Sequence, residues 1–113
     1  MAAPTHRTHV GALGDLAEAV AYLKREAPEQ APRLVALYRD ARRHLRQRPL
    51  ANATVYADYR RVVLVPFKYM IVYVTDGRST DILAVLDARR DPDTLKRTLR
   101  GRSSDGGTQP SER

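Results

Sequence analysis

Arg60 and Arg61 open one apolar segment of this 113-residue chain, Lys68 and Tyr69 interrupt the next, and Arg89 and Arg90 follow a third. Cations grouped beside phenols suit phosphates, anionic membranes or acidic protein partners. Cutting a phosphodiester asks for more: cations around the scissile phosphate and groups that move protons. Between Ala51 and Pro110 there is no histidine and no glutamate. The remaining proton carriers are Tyr59, Tyr69, Tyr73, Lys68 and several aspartates, a thin set for hydrolysis, and no catalytic residue is assigned. A phosphate-cradling glycine loop and a Ser/His/Asp pattern are both absent. His6 and His9 share an i, i+3 spacing but have no third ligand nearby, and the chain has no cysteine, so neither a metal site nor a cofactor is expected.

A second set of cations, Arg39, Arg42, Arg43 and Arg46, falls at i, i+3, i+4 and i+7, one face of a helix. That face can hold acidic residues or nucleic acid, although a solvated charged face is the simpler reading. The formal charge of +7 comes from both halves of the chain. No apolar run approaches the roughly 18–20 residues needed to span a bilayer, and the N-terminus lacks the apolar core of a signal peptide, so a cytoplasmic protein is expected.

These residues need elements to position them. A length of 113 residues suits one domain with one modest core. "THRTHV" alternates weakly and predicts a short edge strand. Leu13, Leu16, Ala17, Val20 and Leu23 form the stripe of an amphipathic helix over 11–26. Pro28 and Pro32 are tolerated only in a first turn, which places the regular start of a second helix near Ala31, after a loose turn. Leu34, Leu37, Tyr38, Ala41 and Leu45 are its core stripe, and Pro49 ends it. Tyr59–Val65, Tyr69–Thr75 and Thr80–Asp87 are rich in β-formers, with Asp76-Gly77 marking a tight hairpin. A short basic helix is expected from Pro92.

The fold class is therefore α+β: an N-terminal antiparallel helix hairpin packed on one face of a three- to four-stranded antiparallel sheet. Residues 1–100 form the single domain, and 101–113 a disordered polar tail. Tight loops put Val62, Leu64, Met70, Val72, Val74, Leu83 and Val85 under the helices. The opposite face, with Tyr59, Arg61, Tyr69 and Tyr73, is left for a partner, and Arg61 lies opposite Tyr73.

At this point the residues resemble a family. "YRRVVLVPFKYMIVYVTDGRSTDILAVLDARRDP" is similar to the sheet half of the RelE/ParE toxins of bacterial type II toxin–antitoxin modules. The resemblance lies in Arg60-Arg61, in Phe67-Lys68-Tyr69 with Tyr73, and in Leu86-Asp87-Ala88-Arg89-Arg90-Asp91-Pro92; "GALGDLAEAVAYL" resembles the family's first helix. Asp87 stands where the family usually has histidine, and Met70 where the ribonuclease branch carries arginine. The resemblance thus implies the ParE-like branch, which inhibits DNA gyrase by binding, and an enzyme is the less favoured reading. The alternatives are a metal-independent, ribosome-dependent messenger-RNA endoribonuclease of RelE type, or an inactive binding module. The implied partners are a cognate acidic antitoxin and DNA gyrase, or else the ribosome with its messenger RNA; no membrane partner is implied. Target-binding candidates are Arg61, Lys68, Arg89 and Arg90. Antitoxin or surface-contact candidates are Tyr59, Tyr69, Tyr73, Arg39, Arg42, Arg43 and Arg46.

Overall fold

The structure, a computed structural model, describes residues 5–104 and 108–110. Strand β1 (Thr5–His9) runs straight into helix α1 (Val10–Glu26), where the His9 imidazole accepts the Gly11 N–H at 2.8 Å and caps the first turn. A single 3-10 turn at Pro28–Gln30 accommodates the first proline, and helix α2 (Ala31–Gln47) begins with Pro32 in its first turn. Strands β2 (Thr54–Tyr56), β3 (Tyr59–Val63), β4 (Tyr69–Thr75) and β5 (Ser79–Asp87) follow. Helix α3 (Pro92–Ser104) and strand β6 (Thr108–Pro110) complete the described chain.

The sheet has the order β2-β3-β4-β5-β1-β6. Strands β2 to β5 form the expected antiparallel meander, but β1 lies parallel to β5, with His6 beside Thr80 and Thr8 beside Ile82. The sheet is thus mixed and six-stranded, not antiparallel with three or four strands. Strand β1 is flanked by β5 and β6, so it is not an edge. Helix α3 extends past residue 100 to Ser104, and Thr108–Pro110 pairs with β1, so both segments of the expected tail carry regular structure. Residues 105–107 and 111–113 of that tail lie outside the described residues.

Both faces of the sheet are covered. The α1–α2 hairpin packs on Leu64, Ile71, Tyr73, Ile82 and Val85, burying Leu23, Leu34, Tyr38 and Leu45. Along α1 the residues turned inward are Ala12, Leu16, Ala19, Val20 and Leu23, while Leu13 is exposed. Small Ala12 and Ala19 allow the helix to lie close to the sheet. On the opposite face, Leu95 and Leu99 of α3 cover Met70, Val72, Leu83, Ala84 and Leu86. Val62, Leu64 and Val85 lie under the hairpin as expected, but Met70, Val72, Val74 and Leu83 face α3, and Tyr69, Ile71, Tyr73 and Ile82 have taken the hairpin side. The cause is register: Val62 pairs with Ile71, not Val72, which turns β4 over, and a bulge beside Val72 and Tyr73 returns Ala84 and Val85 to the expected faces. A shift of one residue turns each side chain to the other face. In the β4–β5 turn Gly77 has φ +94°, a conformation that suits glycine, and the Asp76 carboxylate accepts the Arg78 and Ser79 N–H groups.

One ion pair joins the layers. Strand β1 matches β5 only as far as Ile82, so the next outward groups of β5 have no strand beside them. The Asp15 carboxylate of α1 accepts the Val85 N–H at 3.0 Å, and Arg102 of α3 donates to the Leu83 carbonyl at 2.9 Å. Arg102 also grips Asp15 through both terminal nitrogens, at 2.6 and 3.2 Å. Its guanidinium passes over Gly11, where a Cβ would stand 2.6 Å from it. Glycine there leaves room for the bridge.

Two predictions follow from this packing. Asp15→Ala should cost about 2–3 kcal/mol in chemical denaturation, because it leaves a mostly buried guanidinium and the Val85 N–H uncompensated. Adding Arg102→Ala should cost less than the sum of the two single changes. The second concerns His6, buried beneath α2, whose imidazole is pushed down to about 4 by burial and by the Arg42 and Arg46 charges. A histidine depressed in the fold stabilises fully above its unfolded value and loses that contribution as pH falls. Stability should therefore drop between roughly pH 6.5 and 4 by about 3 kcal/mol. Replacing His6 by Gln should remove that part of the pH dependence in thermal melts at constant ionic strength.

Candidate functional site

Pairing of β4 with β5 sets Tyr69 opposite Asp87, and the Ala88 N–H donates to the Lys68 carbonyl at 2.6 Å. Two segments distant in sequence, Phe67-Lys68-Tyr69 and Asp87-Ala88-Arg89-Arg90, thereby meet at one end of the sheet. Helix α1 passes beside them. Between the helix and the strand ends lies a cleft of about 320 Å³, lined among others by Asp15, Glu18 and Tyr22 of α1 and by Tyr69, Asp87 and Arg90.

The charges in this cleft are partly neutralised from within. The Asp87 carboxylate accepts three bonds from Arg89: the backbone N–H at 2.8 Å, Nε at 3.1 Å and Nη2 at 3.0 Å. These bonds hold the Asp87 carboxyl below the usual carboxylate range and raise the already high value of Arg89. Partial burial, with Asp87 nearby, pushes the Tyr69 phenol up, so it stays neutral at pH 7. Arg89 is therefore clamped to its own strand end, while Arg90 borders the open cleft. The arrangement offers a cation, a neutral phenol and a fixed carboxylate to a partner; it brings no imidazole into the lining.

The other residues singled out from sequence lie elsewhere. The Tyr73 ring is fully buried under the hairpin, its hydroxyl donating to the Pro49 carbonyl at 2.7 Å and accepting from Asn52 at 3.1 Å. Burial pushes this phenol up, and it is a packing residue, not a contact surface. Its cross-strand neighbour is Arg60, not Arg61. Arg60 donates to the carbonyls of Asn52 at 2.6 Å and Leu50 at 3.3 Å, tying the loop after α2 to the sheet. Arg61 pairs with Val72, which puts it on the α3 face, exposed and apart from the cleft. Tyr59 is also on that face, stacked on Tyr56 with ring centroids 5.6 Å apart and bonded through its hydroxyl to Ser103 at 2.7 Å. Arg39, Arg42, Arg43 and Arg46 line a separate cleft of about 300 Å³ on α2. Of the expected target-binding residues, the strand end thus gathers Lys68, Arg89 and Arg90. Sequence reasoning missed Glu18 and Tyr22; the signal for Tyr22 was a large aromatic off the apolar stripe of α1.

Residues 7–92 match the family model described as the ParE toxin of the type II toxin–antitoxin system, parDE. The chain belongs to the ParE toxin family. Toxin ParE2 of Mycobacterium tuberculosis is 37% identical over 98 residues, which span 86% of this chain and 93% of that protein. A solved structure, "Chromosomal ParDE TA system from P. aeruginosa", superposes with a TM-score of 0.60 at 18% identity, covering 69% of this chain and 88% of that one. At that identity the likeness speaks for the fold. The family match ends at Pro92, so it contains both segments of the strand-end site and stops where α3 begins.

The two neighbouring arginines of β3 should separate in a stability test. Arg60→Ala should cost about 1–2 kcal/mol through its two carbonyl bonds, and Arg61→Ala less than about 0.5 kcal/mol. Tyr73→Phe should resemble Arg60→Ala, since it leaves the Pro49 carbonyl without its donor. Urea melts of the three variants check this ordering.

Proposed function

We propose that this ParE-family chain is the toxin of a type II toxin–antitoxin module. It acts in the cytoplasm by binding DNA gyrase, and a cognate acidic antitoxin neutralises it. The observation that carries the reading is the chemistry of the strand end. Met70, following Tyr69, is buried under α3, and Asp87 is ionised and engaged by Arg89. The histidines lie elsewhere: His9 caps α1, and His6 lies under the arginines of α2, which also carries His44. General acid–base cleavage of RNA calls for a proton donor and acceptor tuned near neutral pH. A neutral phenol, a lowered carboxylate and arginines do not make that pair. They do make a recognition surface, in which Lys68 and Arg90 supply charge and Tyr22 and Tyr69 supply aromatic area. A chain with formal charge +7 suits an antitoxin with an acidic segment that orders on binding.

Induced expression in a bacterium tests the reading. Growth should stop with a DNA-damage response, and purified protein should inhibit gyrase supercoiling while ribosome-bound messenger RNA stays whole. Specific cuts in ribosome-bound transcripts would overturn it and favour ribonuclease action. Arg90→Ala should weaken gyrase inhibition by about tenfold or more, the equivalent of ~1.4 kcal/mol, with an unchanged melting curve. Arg89→Ala should do less, because its guanidinium already serves Asp87.

A further inference from the structure

Helix α2 carries a feature that the strand-end site does not use. Its apolar stripe, with Leu34, Tyr38 and Leu45 buried, turns the flank that begins at Arg42 outward. Arg39, Arg42, Arg43 and Arg46 stand there in a row and alone line the cleft of about 300 Å³. The acidic residue within this stretch, Asp40, sits 3.3 Å from Arg43 on the open surface. The Nε of Arg42 is buried and has no hydrogen-bond partner among the described residues. His6 beneath the row is held neutral at pH 7 by burial and by Arg42 and Arg46, so the positive charge of the row is that of its arginines.

We propose that this face of α2 binds the phosphate backbone of duplex DNA without reading its sequence. Composition and rigidity favour this ligand. A protein partner is held by a core of apolar contact with a polar rim. The lining here contains no apolar residue, as in the far more basic surfaces that meet DNA. Single-stranded nucleic acid is held by stacking its bases on aromatic rings, and the row has none. The guanidinium fork matches phosphate in a bidentate way. From Arg39 to Arg46 the helix rises about 10 Å, a length of duplex axis that carries about six phosphate charges. About three of these lie on each strand, so the row can neutralise up to four phosphates drawn from both strands while the helix stays rigid. This surface is distinct from the strand-end cleft, so the proposal stands whether or not gyrase is the target.

The test is fluorescence anisotropy of the full chain with a 20-base-pair duplex of arbitrary sequence, at several salt concentrations. The logarithm of affinity should fall with the logarithm of salt at a slope of about −3 to −4, as for four neutralised phosphates. Arg39→Gln with Arg43→Gln should weaken binding roughly tenfold or more at low salt and flatten the slope by about two. Arg39→Gln alone should flatten it by about one and serves if the double variant melts early. Lys24→Gln with Arg25→Gln, at the end of α1, removes the same charge and should change little. Equal losses in the two double variants would overturn the proposal and leave only diffuse net charge. No binding of the duplex at low salt would also overturn it. So would tighter binding of a single strand of the same length, or of a 20-residue polyglutamate peptide, the latter pointing to an acidic protein partner.

Discussion

The outward edge of β5 is the constraint on which the rest of the fold depends. This strand is paired with β4 along nearly its whole length, yet β1 covers only its first half before the chain turns into α1. A buried strand cannot leave main-chain groups unpaired, since each costs about 1–3 kcal/mol. Asp15 and Arg102 supply the missing acceptor and donor at Val85 and Leu83 and bond to each other. One ion pair therefore completes a sheet edge and fixes α1 and α3 on opposite faces of the sheet. Gly11 belongs to the same device, because any side chain there would displace the guanidinium. A buried pair of this kind adds little net stability over apolar residues, but it makes one arrangement of the two helices much better than its neighbours.

The same geometry explains why the cleft forms where it does. Past the bridge, Val85 to Asp87 continue without a strand beside them on that edge, and α1 runs alongside. The gap between helix and strand end is lined by whatever both elements project there, hence Glu18 and Tyr22 from one and Tyr69, Asp87 and Arg90 from the other. The Asp87–Arg89 clamp then does for the loop after β5 what Asp76 does for the turn before it: a carboxylate holds the following N–H groups and sets the chain's direction.

Local signals in the sequence carried far. Two prolines located the start of α2, β-branched runs located β4, and Asp76-Gly77 located a turn, because each depends on backbone chemistry within a few residues. What was not legible depends on distance. The parallel pairing of β1 with β5 has no local signature, and short β2 lies in "ATVYAD", which is too brief for alternation to register. β4 turned over because the turn before it holds four residues, 65–68, where three were expected, and the bulge then restored the facing of Ala84 and Val85. α3 was expected to be short, yet Leu95 and Leu99 give it an apolar stripe that covers Met70, Val72 and Leu83 on the second sheet face. The site followed the same rule. Lys68, Arg89 and Arg90 came together because they flank paired strands, whereas the one-residue slip of β4 buried Tyr73 under the hairpin and left Arg61 on its expected face but opposite Val72.

The cations on the strands, which look misplaced in a core-forming segment, show how a small arginine-rich domain uses its charge. Arg60 donates to two loop carbonyls, Arg89 to a neighbouring carboxylate, and Arg102 to a strand edge and a helix. In each case a planar guanidinium serves several acceptors at once, which a lysine ammonium on its flexible stem does less well. These arginines contribute to the net charge of +7 without being free to attract a partner. Net charge alone therefore overstates the surface available for binding. Among the remaining cations, those at the strand end and the row on α2 stand in two places with different surroundings. The strand end sets its charge beside aromatic area and a carboxylate, as a folded protein partner requires, while α2 presents charge almost undiluted. The two clefts share no lining residue: α1 and the strand ends build one, and α2 alone builds the other.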